Sequence, residues 1–263
     1  FGAGCLHCRG DEGKLKKNYC PRCATVYSCR NLSFELFPAE ILGIVGESGS
    51  GKSTLMRCLY FDQEASGGEV YLQAHKQGEV NVLAETAQQK RLIRNHILGM
   101  VYQNPLYGLK MNISAAGNIA EKMLAAGHRR TDIMLDRGTE LLARVNIPHW
   151  RMKEAPANFS GGMQQRVQIA KALSNNPPLL LLAEVTTGLD LSVQANVLDL
   201  IREIQRELKI SMLVVSHDLA VIRMLADRTM VMLDGKVVEA GLTDQIMEDP
   251  QHPYTQELVY SLL

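Results

Sequence analysis

The residues best suited to chemistry form one short run, Gly46-Glu47-Ser48-Gly49-Ser50-Gly51-Lys52-Ser53-Thr54. Its glycines let backbone amides crowd around a phosphate, Lys52 can reach terminal phosphate oxygens, and Ser53 offers a hydroxyl to Mg2+. Such a loop works only between a strand and a helix, because the amino end of the helix adds a field that favours anions. A flexible Gly/Ser turn is the plain alternative, and the apolar run from Ile41 to Val45 just before the loop argues against it. A second cluster is made of thiols. Cys5 and Cys8 form one Cys-x-x-Cys pair, and Cys20 and Cys23 form another after eleven intervening residues, with Pro21 and Arg22 inside the second pair. Four thiolates at this spacing suit a tetrahedral Zn2+ whose positions are all filled by protein, a structural site rather than a catalytic one. An iron–sulfur cluster or idle thiols are the other readings. Cys29 and Cys58 fall outside the pattern.

The elements that position these residues follow from periodicity. Residues 5–23 carry almost no apolar periodicity, so a bound metal would have to supply their order. From Leu32 the pattern changes: Leu32, Phe34 and Leu36 alternate, Pro38-Ala39-Glu40 makes a turn, and Ile41 to Val45 is apolar, which predicts two successive strands. The runs Leu179 to Leu182 and Met212 to Val215 lack polar alternation, as strands buried on both faces of a parallel sheet do. Between them Val197, Ile201, Ile204 and Leu208 fall on one helical face. Residues from about 105 to 175 read as a helical subdomain inserted in the sheet domain.

A chain of 263 residues has room for one α/β domain with an appendage. Lys plus Arg and Asp plus Glu both number 28, so no global field draws the chain to nucleic acid or to an anionic membrane. No apolar run approaches the roughly eighteen residues needed to cross a bilayer, and no signal peptide opens the chain, so a cytoplasmic location without membrane insertion is expected. The chain starts at Phe1, and its first elements arrive as though an earlier strand preceded them, so its amino terminus is expected to be incomplete.

Phe159-Ser160-Gly161-Gly162-Met163-Gln164-Gln165-Arg166 precedes an amphipathic helix well beyond the phosphate loop. Alone it could be an ordinary helix start with Ser160 as N-cap. In this order and spacing it resembles the signature sequence of ABC ATPases, a glycine-rich helix start that offers a second anion site. Further motifs fall in the order of that family. Gln103 in Tyr102-Gln103-Asn104-Pro105 resembles the Q-loop glutamine that touches Mg2+, Thr187-Gly188-Leu189-Asp190 resembles the D-loop, and His217 in Val215-Ser216-His217-Asp218 resembles the switch histidine.

The resemblance covers nearly the whole chain from about residue 31. It implies a P-loop ABC ATPase fold: α/β, a mainly parallel sheet with an antiparallel β portion near the amino end, a helical subdomain and here an N-terminal zinc-knuckle insertion. It also implies a single Mg-ATP-binding domain over residues 1–263 that closes head-to-tail on another ABC ATPase subunit, identical or different. Ser160, Gly161, Gly162 and Gln164 would then reach the partner's nucleotide, with Asp190 contacting the partner's site. Adenine would stack on an early aromatic residue, with Phe1 the candidate and Tyr27 the alternative.

The chain departs from the family at one place. Where the family has Asp-Glu-Pro after an apolar strand, this chain has Ala183-Glu184-Val185. Glu184 stands where the general base is expected, while the carboxylate that helps fix the water shell of Mg2+ is absent, which should cost turnover more than binding. An engineered substitution or a degenerate natural site would each account for it. The tail Asp249-Pro250-Gln251-His252-Pro253-Tyr254-Thr255 resembles the ATPases of oligopeptide importers and of the carbon–phosphorus lyase system. Ser114-Ala115-Ala116-Gly117-Asn118-Ile119, the run from Gly188 to Ala195, and Gly241-Leu242-Thr243-Asp244 resemble the latter, which implies a soluble carbon–phosphorus lyase core as partner. Peptide or nickel import and a slow-turnover ATP-responsive scaffold are the competing roles.

Overall fold

The computed structural model describes residue 2, residues 4–9 and residues 15–261, apart from the side chain of Arg9. In chain order its helices and strands are α1 (Leu6–Arg9), β1 (Ile41–Val45), α2 (Lys52–Leu59), α3 (Ala87–His96), β2 (Leu98–Val101), α4 (Pro105–Gly108), α5 (Ala115–Ala125) and α6 (Thr131–Arg144). They continue with α7 (Gly161–Leu173), β3 (Leu179–Ala183), α8 (Leu191–Leu208), β4 (Ser211–Val215), α9 (Leu219–Leu225), β5 (Arg228–Leu233), β6 (Lys236–Leu242), α10 (Thr243–Glu248) and α11 (Pro253–Tyr260). The chain divides into two compact units: one runs to Glu35 and resumes over Leu42–Arg57 and from Val215 onward, and the other holds Leu36–Ile41 and Cys58–Val214.

In the first unit β1 pairs in parallel with β5, Leu42 opposite Arg228 through Val45 opposite Val231. β5 pairs antiparallel with β6, with a bulge between Val231 and Met232. Ile44, Val45, Val231 and Met232 are fully buried, and α9 adds Ile222. Such an unbroken apolar strand is what a sheet covered on both faces requires.

In the second unit β2 pairs in parallel with β3, Leu98 opposite Leu179 through Val101 opposite Leu182, and β4 lies beside β3. Leu180, Leu181 and Leu182 are fully buried. α3 and α7 pack on β2, and α5, α6 and α7 pack on one another. Between α4 and α7 the described regular elements are all helical. α8 buries Val197, Leu198, Leu200, Ile201 and Ile204 and stops at Lys209, whose φ of 50° is left-handed.

One expected strand is not there. Leu32, Phe34 and Leu36 are half-buried between exposed neighbours, so the alternation is real, yet no ladder joins this segment to another among the described residues. Period two reports an extended chain with one covered face, whereas a strand also needs a hydrogen-bonded neighbour. The longer antiparallel pairing lies between β5 and β6, near the carboxy end instead of the amino end.

Leu181 has no exposed surface. Leu181→Ala should therefore cost about 2–5 kcal/mol of stability, read by chemical denaturation; a loss below about 1 kcal/mol would show that the core around β3 collapses onto the cavity.

Candidate functional site

β1 delivers the phosphate loop. All five of its residues are buried, and the chain turns at Gly46 and enters α2 at Lys52. Gly51 has a φ of +107°, and a Cβ there would lie 1.9 Å from the Ser28 carbonyl oxygen, so only glycine fits. Lys52 is 4 % exposed. Its Nζ donates to the carbonyl oxygens of Gly46 at 2.6 Å and Glu47 at 2.8 Å, and lies 3.4 Å from Ser50 Oγ. Glu47, Ser48, Gly49 and Ser53 are exposed, Ser50 is buried and Thr54 is half-buried. The first turn of α2 holds no acidic residue, which leaves its amides and the helix field available to an anion.

Two further residues join the loop in this unit. The Glu47 amide donates to Tyr254 Oη at 2.7 Å, so α11 braces the loop from the tail. Sequence reasoning placed Tyr254 in a family-like tail and missed this contact, because nothing local at residue 254 refers to residue 47. The Ser216 amide donates to the Ile44 carbonyl at 3.1 Å, which fixes the residue before the exposed His217 beside the end of β1.

In the second unit β3 ends at Ala183, 9 % exposed, whose side chain is a bare methyl group. Glu184 follows with a left-handed φ of 47°. Thr187 donates to it twice, from the amide to the carbonyl oxygen at 3.2 Å and from Oγ1 to Oε2 at 3.3 Å. A non-glycine residue held in this region at a strand end is a form of local strain typical of functional turns.

Gln103 is exposed between β2 and α4, and its turn is tied to α7 by two buried glutamines. Gln165 Nε2 donates to the carbonyls of Gln103 at 3.3 Å and Tyr102 at 3.4 Å. Gln168 accepts the Tyr102 amide at 2.6 Å, donates to the Tyr102 carbonyl at 3.0 Å and donates to Gln165 Oε1 at 2.7 Å. Neither glutamine was singled out as a site residue beforehand; their value depends on burial, which the local sequence does not display.

α7 opens with Ser160 Oγ accepting the Met163 amide at 3.4 Å, so this serine is also an N-cap. Gln164 Nε2 turns back to the carbonyls of Pro156 at 2.9 Å and Phe159 at 3.1 Å. A Cβ on Gly162 would lie 2.3 Å from Val193 Cγ1, and one on Gly161 would meet Leu189 Cδ2 at 3.5 Å. The glycine turn therefore rests against the residues flanking Asp190, which is exposed, as is Leu191 at 84 %.

The thiols converge as the spacing required. The sulfurs of Cys5, Cys8, Cys20 and Cys23 all lie within 4.8 Å of one another, a donor set able to hold a metal ion. Cys5–Cys8 and Cys8–Cys23 are 3.7 Å apart and Cys5–Cys20 4.0 Å. The Thr25 hydroxyl and then its backbone hold the Cys23 thiol down to about 6. A backbone hydrogen bond from Cys5, followed by the Tyr27 hydroxyl, lowers Cys8, and burial pushes Cys20 up to about 11. Phe1 lies outside the described residues; Tyr27 points its hydroxyl at Cys8 Sγ, 3.2 Å away, and carries the Arg30 guanidinium 5.9 Å from its ring centroid.

Because Tyr254 supplies one hydrogen bond to the phosphate loop, Tyr254→Phe should weaken Mg-ATP binding by about 2–10-fold, measured calorimetrically, with the fold retained. Unchanged affinity would mean that the loop holds its shape without α11.

The profile of the ABC transporter family matches residues 29–187. PhnK of Escherichia coli (strain K12), a putative phosphonates utilization ATP-binding protein, is 46 % identical over 233 residues, 89 % of this chain and 90 % of that protein. The glutathione import ATP-binding protein GsiA of Escherichia coli (strain K12) is 36 % identical over 241 residues, 89 % of this chain but only 39 % of GsiA. A dimeric post-hydrolysis structure of the ATP-binding cassette MJ0796, bound to ADP and Pi, superposes with a TM-score of 0.73 at 27 % identity, covering 82 % of this chain and 90 % of that one. CbiO1 from Clostridium perfringens, part of an ABC transporter complex, shares the fold with a TM-score of 0.74 at 24 % identity, covering 84 % of each chain. A phosphate loop between strand and helix, a glycine-rich signature turn opening α7 and a family match over more than half its length make this chain an ABC transporter family member, an ATP-binding cassette.

Proposed function

We propose that the chain is the ATP-hydrolysing subunit of a phosphonate-degrading carbon–phosphorus lyase complex, and that nucleotide-dependent closure of a head-to-tail dimer drives its conformational change. The observation that carries this reading is the 46 % identity with PhnK, which extends over nine-tenths of both proteins, whereas the match to GsiA takes in 39 % of that importer subunit. Residues 1–263 act as one ATPase domain with a helical signature subdomain at about 105–175, and the chain works in the cytoplasm beside a soluble lyase core. Among the described residues no helix is long and apolar enough to cross a membrane.

The roles follow from chemistry. Lys52 and the amides of residues 46–54 hold the phosphates, Ser53 and Gln103 serve Mg2+, and Glu184 takes the proton of the attacking water while His217 orients the γ-phosphate. Bound Mg2+ supplies neutralisation of the phosphate charge. Ser160, Gly161, Gly162, Gln164 and Asp190 face the nucleotide of the partner subunit. The four cysteines hold Zn2+. A tetrahedron with Zn–S distances of about 2.3 Å has edges of about 3.8 Å, close to the three Cys5–Cys8, Cys8–Cys23 and Cys5–Cys20 separations of 3.7–4.0 Å within a set whose sulfurs all lie within 4.8 Å.

Affinity capture of the tagged chain from its host with Mg-ATP present should retain soluble lyase subunits. Recovery of membrane permeases in their place would overturn the assignment and make the chain an importer ATPase. The methyl group of Ala183 motivates the alternative of an ATP-responsive scaffold with little turnover. Ala183→Asp should raise phosphate release by at least about tenfold, the equivalent of about 1.4 kcal/mol in barrier. Negligible turnover in both forms would favour the scaffold.

A further inference from the structure

The cysteine module and the phosphate loop belong to the same compact unit, and four consecutive residues run from one to the other. The Cys20–Thr25 knuckle is closed by main-chain bonds, Cys20 N to Thr25 O at 2.8 Å and Ala24 N to Cys20 O at 2.9 Å. Two residues later Tyr27 is anchored at both ends: its amide donates to the Asn18 carbonyl at 2.8 Å, and its hydroxyl donates to Cys8 Sγ at 3.2 Å. Ser28 then presses its carbonyl on Gly51, at the 1.9 Å approach that excludes any Cβ there. Cys29 Sγ donates to the Gly51 carbonyl at 3.5 Å. The Arg30 amide donates to the Gly235 carbonyl at 2.8 Å, and the Gly235 amide donates to the Ser50 carbonyl at 3.0 Å.

Ser50 and Gly51 immediately precede Lys52, so the segment from Tyr27 to Arg30 is a wall of the phosphate loop whose other end rests on a sulfur of the thiol cluster. The loop's affinity for phosphate depends on amides already aimed at the ligand. Ser28 and Cys29 both lie against Gly51, whose amide belongs to that loop. The stretch around the cysteines has no apolar core of its own, so a metal bound by the four thiols would hold Cys8, and through it Tyr27, in place.

We propose that Tyr27 is a positioning residue that links metal occupancy of the Cys5, Cys8, Cys20 and Cys23 cluster to the nucleotide affinity of the phosphate loop. The inference rests on the zinc reading above and extends it, from a fixed structural clip to a site in thermodynamic linkage with nucleotide. Linkage is reciprocal: if zinc tightens Mg-ATP binding, Mg-ATP tightens zinc by the same factor.

The test uses the full chain. Zinc content is measured by mass spectrometry, Mg-ATP affinity is measured by calorimetry before and after chelation, and zinc release to a chromophoric chelator is followed with and without Mg-ATP. In the unaltered protein, with near one zinc per chain, chelation should weaken Mg-ATP binding by at least about fivefold. Adding Zn2+ back should restore it, and Mg-ATP should raise zinc affinity by the same factor. Tyr27→Phe should keep its zinc yet lose the zinc dependence of Mg-ATP affinity. A merely structural tyrosine would lower the thermal midpoint of that variant and leave the dependence in place, which would overturn the role of Tyr27. Equal Mg-ATP affinity with and without zinc in the unaltered protein would overturn the linkage while leaving the zinc site standing. A chain that binds no zinc would remove both. Since the reciprocal measurement needs no variant, failure of Tyr27→Phe to fold leaves the linkage open to refutation.

Discussion

The first unit is organised around one ammonium group kept almost wholly out of water. Lys52 is 4 % exposed, and an ion that deep is tolerable only when oxygens replace its hydration. Three of those oxygens belong to the loop itself, from Gly46, Glu47 and Ser50, so the charge draws the loop around it. Everything packed against the loop then serves to keep that ring closed. β1 fixes where it starts, α2 where it ends, Tyr254 takes the Glu47 amide from the tail, Ser28 and Cys29 lie against Gly51, and Arg30 holds Gly235, which bonds Ser50. A phosphate chain is recognised by the same arrangement, because it needs amides that point inward and a cation that is already in place.

The second unit solves a different problem, which is to hold two polar turns in fixed relation on one helix. α7 carries both. Its first residues form the glycine turn that lies against Leu189 and Val193, and one turn later Gln165 and Gln168 grip the backbone of Tyr102 and Gln103. Fully buried side-chain amides are costly unless each is bonded, and here the two bond each other as well as the main chain. The consequence is a rigid path from the Gln103 turn to the glycine turn through one helix.

At the end of β3 the chain trades chemistry for packing. Ala183 fits a buried strand end more easily than a carboxylate would, yet a carboxylate there is what the family uses to fix the water around Mg2+. Glu184 keeps its unusual left-handed backbone despite the loss, held by Thr187. Glu184 thus keeps a defined turn geometry one residue after the methyl group of Ala183.

The phosphate loop, the thiol cluster and the buried strands are legible in the residues alone, since each depends on residue type at short range: glycines and a lysine at fixed spacing, two Cys-x-x-Cys pairs, unbroken leucines from residue 179. The stretch from Pro105 to Leu173, which carries no convincing strand pattern, holds only helices among the described regular elements. The sequence overstated Leu32–Leu36, where alternation marked a half-covered extended segment that lacks a paired neighbour. Folding alone brings Tyr254 to Glu47, buries Gln165 and Gln168 on the Gln103 turn, and leans the segment after the cysteines on Gly51. Those contacts join residues from roughly twenty to two hundred positions apart, and no local propensity encodes which distant backbone a hydroxyl or an amide will reach.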